Sequence, residues 1–402
     1  MRRGRPNEAG LTLVELMVAL ALAAMLSAGL YQLMSGQSRG YSQQLDNLTS
    51  QENLWGALEF LQRSVRQAGY GLGGCPGGRI LRYANATAST TPAPWLIPLR
   101  VYNDCNLLLV GDPAVDCASG HGDGVDSLSV AFVGATPGTP TELAAARLKQ
   151  AMAGVHALAI VDSPGRFPVG EHVALWQPGT NKPCTMLRVT AAPLWNAGAG
   201  GYELPHLHGV FGPDVNPPLG VEIFPAGGYD AGTLVLNTSG AGVRHFAVES
   251  DPLRPEQPPR LVTWSTANPH PSADTANAEV VADGVEDLQI AYGCDENGNG
   301  VFDEGRLDIA SGTDTRPTDE WAHNGPGETG DLNGDGHPDA LTCARGIGAV
   351  RLTVTARSPS PDTAAPSGGR AAAENRAAGP NDRYQRRRLT VLVTPRNLRA
   401  TP

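Results

Sequence analysis

The stretch Gly10-Leu11-Thr12-Leu13-Val14-Glu15-Leu16-Met17-Val18-Ala19-Leu20 decides how the rest of the chain is read. A short basic leader precedes it, Met1-Arg2-Arg3-Gly4-Arg5-Pro6-Asn7-Glu8-Ala9. After it the residues run mostly apolar to Met34, with a single carboxylate at Glu15. A plain membrane-spanning helix avoids such a group, because a charge near the bilayer interior costs at least ~2.5–3.5 kcal/mol. A secretory signal peptide carries its small-residue cleavage site after the apolar run. Here the small residue, Gly10, comes before it. A buried carboxylate needs a partner. One is available to Glu15 within its own chain, the positive end of the helix it opens.

Working outward, residues 11 to about 68 read as one long helix, with Gly36 and Gly40 as places where it can loosen. Residues 11–34 are apolar nearly all round, as lipid requires. Residues 35–70 are amphipathic. Leu45, Leu48, Trp55, Leu58, Phe60, Leu61, Val65 and Ala68 fall mostly at three- and four-residue spacings and predict a stripe packed on a sheet. At ~1.5 Å per residue the helix reaches roughly 85–90 Å, enough to span a membrane and carry a domain beyond it. Ala68-Gly69-Tyr70-Gly71 ends it, Gly being the favoured stop.

The chain has 402 residues, enough for this helix and one large or two modest domains. It holds 49 Gly and 33 Pro and only 17% charged residues, which favours a β-rich, loop-rich exterior over a helical bundle. Strands are predicted at 126–133, 157–161, 171–176, 185–189, 243–248, 260–264, 285–292, 349–354 and 388–393. Residues 84–98 read as a loop, and the Ala/Pro/Ser/Gly-rich stretch 358–382 as a mobile one. The net charge of −10 is uneven. Residues 281–342 hold 15 Asp and Glu against Arg306 and Arg316, which makes nucleic acid an unfavourable partner and divalent cations a favourable one. The Arg-rich end, 370–399, reads as a solvated strand border.

Basic leader, Gly, hydrophobic residue, Thr-Leu-x-Glu and apolar helix together resemble the leader of type IV prepilins. Later segments resemble the PilW family of minor pilins: Arg66-Gln67-Ala68-Gly69-Tyr70, residues 284–293, residues 350–358, and Pro395-Arg396-Asn397-Leu398. Between Cys75 and Pro271 the likeness is one of strand rhythm only. Leu11 departs mildly from the family, where Phe is usual. The resemblance implies an α+β, type IV pilin-like fold, with a long N-terminal helix on an antiparallel β-sheet head bearing large loop insertions. It implies a leader at 1–10, a transmembrane half at 11–34, an amphipathic half at 35–70 and a β-rich head at 71–402. A prepilin peptidase would cut after Gly10 and methylate Leu11, and Glu15 would pair with a neighbour's amine in assembly. The implied partners are other minor pilins, the major pilin and the inner membrane, with a periplasmic head that enters the pilus fibre. A minor pseudopilin of type II secretion shares the leader. A membrane-anchored, calcium-binding adhesin would have to use the insertions from Gly134 to Gly240 or the acidic loops.

Two motifs of enzyme chemistry are missing: no P-loop or H-E-x-x-H is present. The Gly-rich run 69–78 follows a helix, not a strand, and reads as a turn around Cys75 rather than a phosphate cradle. His206 and His208 would share one face of a strand and form a weak metal pair. The stronger signal lies in loops 294–343. Asp331, Asn333, Asp335, His337 (through its carbonyl) and Asp339 fit a D-x-N-x-D-G-x-x-D calcium loop. Asp295, Asn297, Asn299, Val301 (through its carbonyl) and Asp303 repeat it with fewer carboxylates. Arg306 and Thr342 stand where an EF-hand has its bidentate Glu, so binding would be weak, ~10⁻⁴–10⁻³ M. The alternative is two Asn-Gly turns in an acidic surface. Six cysteines beyond a membrane read as disulfides, and the sequence does not choose among their pairings. Because Cys294 and Cys343 flank the acidic loops, they are expected to pair; Cys105–Cys117 and Cys75–Cys184 are further candidate pairs, not fixed by the first.

Overall fold

The computed structural model describes residues 12–70, 80–84, 87–89, 98–103, 105–108, 124–133, 145–165, 167–180, 182–210, 216–238, 241–251, 254, 257–266, 277–294, 301–302, 321–322, 347–361, 369–374, 376, 378–379 and 381–398. One helix, α1 (Leu13–Gln67), is followed by strands, so the class is α+β. The chain divides inside α1, into a unit Met1–Thr49 and a unit Ser50–Pro402. α1 runs without a break through Gly36 and Gly40. In the first unit its large apolar residues, from Leu13 to Met34, are all exposed.

The strands are β1 (Ile80–Ala84), β2 (Thr87–Ser89), β3 (Leu99–Tyr102), β4 (Ser127–Val133), β5 (Ala145–Arg147), β6 (Ile160–Val161), β7 (His172–Trp176), β8 (Cys184–Arg188) and β9 (Leu194–Asn196). They continue with β10 (Gly201–Glu203), β11 (Leu234–Asn237), β12 (Ala241–Glu249), β13 (Arg260–Thr266), β14 (Glu279–Asp283), β15 (Val285–Gly293), β16 (Trp321–Ala322), β17 (Ala349–Arg357) and β18 (Arg386–Val393). All nine predicted strands are present, the one at 157–161 shortened to β6. Thr87–Ser89 is a strand within the stretch read as a loop.

α1 packs on two antiparallel sheets, ordered β14-β13-β12-β4-β3 and β16-β15-β17-β18. Leu54, Ala57, Leu58, Leu61, Val65 and Ala68 meet Leu128, Phe246, Leu261, Ile290, Leu352 and Val354 in one core. Each large side chain buried here stabilises by about 1.5–3 kcal/mol. The buried stripe is not quite the expected one. Trp55 is 60% exposed, and Leu45 and Leu48 are exposed as well. Small residues, Ser50, Ala57 and Ser64, occupy the buried face instead, which lets the helix backbone lie close to the strands. The two sheets are tied by buried Asp126, whose carboxylate accepts the Ile290 N–H at 2.7 Å while its own N–H donates to the Leu288 carbonyl at 2.9 Å.

The insertion between β4 and β12 is not a set of loops. β4 and β12 are paired neighbours, with Ala241 opposite Val133, so residues 134–240 leave the end of a ladder and return to it. The described part of this insertion supplies the sheet β6-β10-β9 and four strands of a second, β2-β1-β8-β7-β11-β5, whose β1 and β2 come from residues 80–89. It also has its own core of Leu148, Met152, Val161, Leu175, Leu187, Tyr229 and Val235, joined by Tyr83 of β1. The β1–β8 pairing is parallel, which the expectation of an antiparallel head did not include.

The Arg-rich end and the stretch 358–382 also differ from expectation. Arg370, Arg376 and Arg386 are paired with carboxylates rather than solvated. The described part of 358–382 is packed on the sheet by these pairs.

Candidate functional site

The N-terminal site starts at Thr12. Its backbone N–H and hydroxyl both donate to Glu15 Oε2, at 2.9 and 3.0 Å, and the Glu15 N–H donates to Thr12 Oγ1 at 3.3 Å. This is a capping box: each side chain satisfies a backbone donor that the first helical turn leaves unpaired. The Leu16 N–H bonds the Thr12 carbonyl at 3.2 Å and starts the helical ladder. The carboxylate at the head of the apolar helix therefore has a structural partner within its own chain. Thr12 is a functional neighbour that the reading of Glu15 alone missed, although T-x-x-E in front of an apolar run is itself a capping signal. The helix that follows is long and apolar enough to cross a membrane. Gly10 and Leu11 lie outside the described residues.

The acidic segment is seen at its anchor. β15 ends at Gly293 and β17 begins at Ala349, and these two residues are paired. The Gly348 N–H donates to the Gly293 carbonyl at 2.9 Å, so the segment leaves and re-enters the sheet at one place. Phe302 covers both glycines; a Cβ on Gly348 would fall 2.5 Å from its ring. Phe302 meets Trp321 edge-on at 5.7 Å, and the Arg351 guanidinium lies 4.5 Å over the Trp321 ring. Val301 is exposed. Asp295, Asn297, Asn299, Asp303, Asp331, Asn333, Asp335, His337 and Asp339 lie outside the described residues. Among the described residues no three His, Cys, Asp or Glu side chains gather as metal ligands. His206 and His208 stand beyond the end of β10, not on a strand. His206 faces the Leu204 and Val155 carbonyls at 2.9 and 2.8 Å, and His208 faces that of Asn216 at 2.8 Å. They fasten loops.

Cys105, Cys184 and Cys294 are buried, and each is in a disulfide. Cys75, Cys117 and Cys343 lie outside the described residues.

The segments singled out along the chain come together. Gly69 ends α1 with φ +73°, and a Cβ there would lie 2.8 Å from Leu398. The Asn397 amide donates to the Ala68 carbonyl at 3.2 Å, and the Gly69 N–H to that of Ala131 at 2.9 Å. The Arg357 N–H donates to the Gly284 carbonyl at 2.8 Å, where β15 and β17 run side by side.

Residues 5–31 match the model of the prokaryotic N-terminal methylation motif. No curated protein matches the chain. Among solved structures, a type IV-like pilin from Thermus thermophilus is similar at 14% identity, over 58% of this chain and 86% of that one, with a TM-score of 0.20. The chain thus carries a prepilin-type methylation motif at the head of an apolar helix, followed by β-sheets.

Proposed function

We propose that this chain is a minor pilin of the PilW kind, a structural and assembly subunit of a type IV pilus and not an enzyme. The observation that carries the reading is the methylation motif over residues 5–31, set against a capped helix whose apolar residues are left uncovered. In this reading a prepilin peptidase cleaves between Gly10 and Leu11 and methylates Leu11. The apolar half of α1 holds the chain in the inner membrane, with the head in the periplasm, until it joins other minor pilins and the major pilin. Thr12 keeps the Glu15 carboxylate satisfied before assembly. A neighbour's Leu11 amine would then add a charge-assisted bond, which is about twice as strong as a neutral one. The PilW assignment draws support from the meeting of its four marker segments at the end of α1 and along β15 and β17.

Two further features belong to the proposal. Cys294–Cys343, Cys105–Cys117 and Cys75–Cys184 are the disulfides, and the acidic segment binds calcium through the two sets of ligands named from the sequence.

The test is made in cells with a prepilin peptidase. Intact-mass analysis is expected to show loss of residues 1–10 and gain of one methyl group. Deletion is expected to abolish twitching and leave exoprotein secretion intact. An unprocessed chain, or lost secretion with normal twitching, would overturn the assignment; the second outcome would mark a type II pseudopilin.

A further inference from the structure

The chain between β17 and β18 turns back over the face of the sheet opposite α1. On that face Asp287 and Gln289 of β15 stand beside Thr355 and Thr353 of β17, and Ala291 beside Arg351. The described residues of 369–382 cover them. Arg376 pairs with Asp287, which is 1% exposed, and Arg370 Nη1 lies 3.8 Å from the same carboxylate. Glu374 accepts from Arg351 at 2.7 Å and from the Thr353 hydroxyl at 3.0 Å. Asp382 takes both Arg386 terminal nitrogens at 2.5 Å, and Arg386 Nε donates to Glu286 at 2.5 Å. Arg388 donates to the Ala372 carbonyl.

The covering segment is cross-bonded within itself. The Gly379 N–H donates to the Arg370 carbonyl at 2.8 Å, and that of Gly369 to Asn381 Oδ1 at 2.8 Å. Ala373 and Arg376 exchange backbone bonds at 3.0 and 2.9 Å. At its centre Glu374 has φ +47°, the one positive value among the described non-glycine residues. Such a backbone is strained and persists only where its surroundings hold it.

Three facts then bear on how this segment is held. Among its described apolar residues only Ala373 is buried, so lifting it exposes almost no apolar surface. Separating its ion pairs returns both sets of charges to water, which recovers the desolvation cost that burial imposed. The strain at Glu374 is released. The core on the other face of the same strands has none of these exits, since Leu288, Ile290, Leu352 and Val354 would all be exposed by opening.

We infer that the described residues of 369–382 form a strap that opens as a unit while the sheet beneath stays folded, latched by Asp287 and Glu374 through Arg376 and Arg351. Opening frees Arg351, which also covers Trp321 at the anchor of the acidic segment. The strap and that anchor therefore share one guanidinium, and a change at either is felt at the other.

Hydrogen exchange read by mass spectrometry tests this on the full chain in detergent micelles, at neutral pH and with urea below the unfolding transition. The strap amides are expected to exchange at least about tenfold faster than those of β15 and β17, with little dependence on urea, as local openings do. Glu374→Gln is expected to speed strap exchange by a further factor of about ten, the weight of one charge-assisted bond. β17 and residues 50–67 should not change. Arg388→Ala removes an exposed contact that folding does not depend on, and should speed the strap less. Strap amides that exchange at the rate and urea dependence of β17 would overturn the inference. So would a Glu374→Gln effect that spreads through β17, or no effect of either variant on the strap.

Discussion

The core beneath α1 and the core of the inserted module are assembled in opposite ways. The first joins Leu54, Leu58, Leu61 and Val65 to strand residues as far apart as Leu99 and Val393. The second draws its buried side chains from residues 146–235, with Tyr83 added from β1. The first cannot form without the helix, because the inner faces of two sheets would lose their cover. The second needs no helix. Its loops are fastened by polar side chains, chiefly Glu222, which accepts the Val155, Ile223 and Phe224 N–H groups at 3.1, 2.9 and 2.8 Å. A module can be spliced into a sheet when its two ends return to paired positions, as they do at Val133 and Ala241. The ladder then closes as though nothing had been added.

The strongest way to separate the two cores is to damage one of them. Leu61 is fully buried against both α1-covered sheets. Leu61→Ala should destabilise this region by about 2–5 kcal/mol, the usual cost of such a cavity. Exchange protection should fall in β12, β13, β15 and β17 and hold in β7, β8 and β11. Equal loss in both sets would mean that the two cores unfold as one, and the comparison would fail.

Acid sharpens it further, because each region holds a histidine whose protonation folding disfavours, His245 buried and His172 half-buried. Burial pushes His245, in β12, down to about 3; its Nδ1 lies 2.6 Å from the Ser129 hydroxyl and its ring leans on Trp264. Burial and then the Arg188 guanidinium push His172, in β7, down to about 4. Both stay neutral in the folded protein while the unfolded chain takes up protons below ~6.5, so stability falls as pH falls through that window. Each region should lose roughly 1–3 kcal/mol between neutral pH and about 4.5. Between about 4 and 3 the histidine term should go on growing only for His245. Urea midpoints followed across pH read this, and His245→Gln should flatten the slope in the α1-covered region. An unchanged slope in that variant would remove His245 as the cause.

How much of this was legible follows from the range of each interaction. The helix, its capping Thr12-x-x-Glu15 and its stop at Gly69 are local and stand in the sequence. So do the long strands, whose alternation is local too. The stripe on α1 differs from its apolar pattern at Trp55 because apolar size alone does not decide burial: Ser50, Ala57 and Ser64 are buried for being small. The strands β2, β5, β9 and β10 have three residues each, too few for a period to show. The strap was read as mobile from its Ala, Pro, Ser and Gly. Its hold depends on pairs such as Asp287 with Arg376, 89 residues apart, which no local pattern displays. Glu286 and Asp287 inside an apolar strand, with an arginine cluster downstream, were the available hint. Gly10 and Leu11, proposed for processing, and the residues proposed to bind calcium, apart from Val301, fall outside the described residues.

The smallest expected effect concerns the place where the two ends of the α1-covered region meet. The last carbonyls of a helix have no partner within it. Here the Ala68 carbonyl accepts from the Asn397 side chain, 329 residues later, while Leu398 closes over Gly69. Asn397→Ala removes one hydrogen bond and leaves the apolar contact of Leu398 in place. The loss should be about 0.5–1.5 kcal/mol, that of a single neutral bond. Because α1 carries the core, this small loss should appear as faster exchange at Ala68, Gly69 and Tyr70, while the inserted module, which has no share in α1, keeps its protection. Gly69→Ala should cost more, since it meets both a positive φ and the Leu398 side chain. If Asn397→Ala instead loosens β7 and β8 as much as the end of α1, the module leans on the helix after all, and its independence would have to be given up.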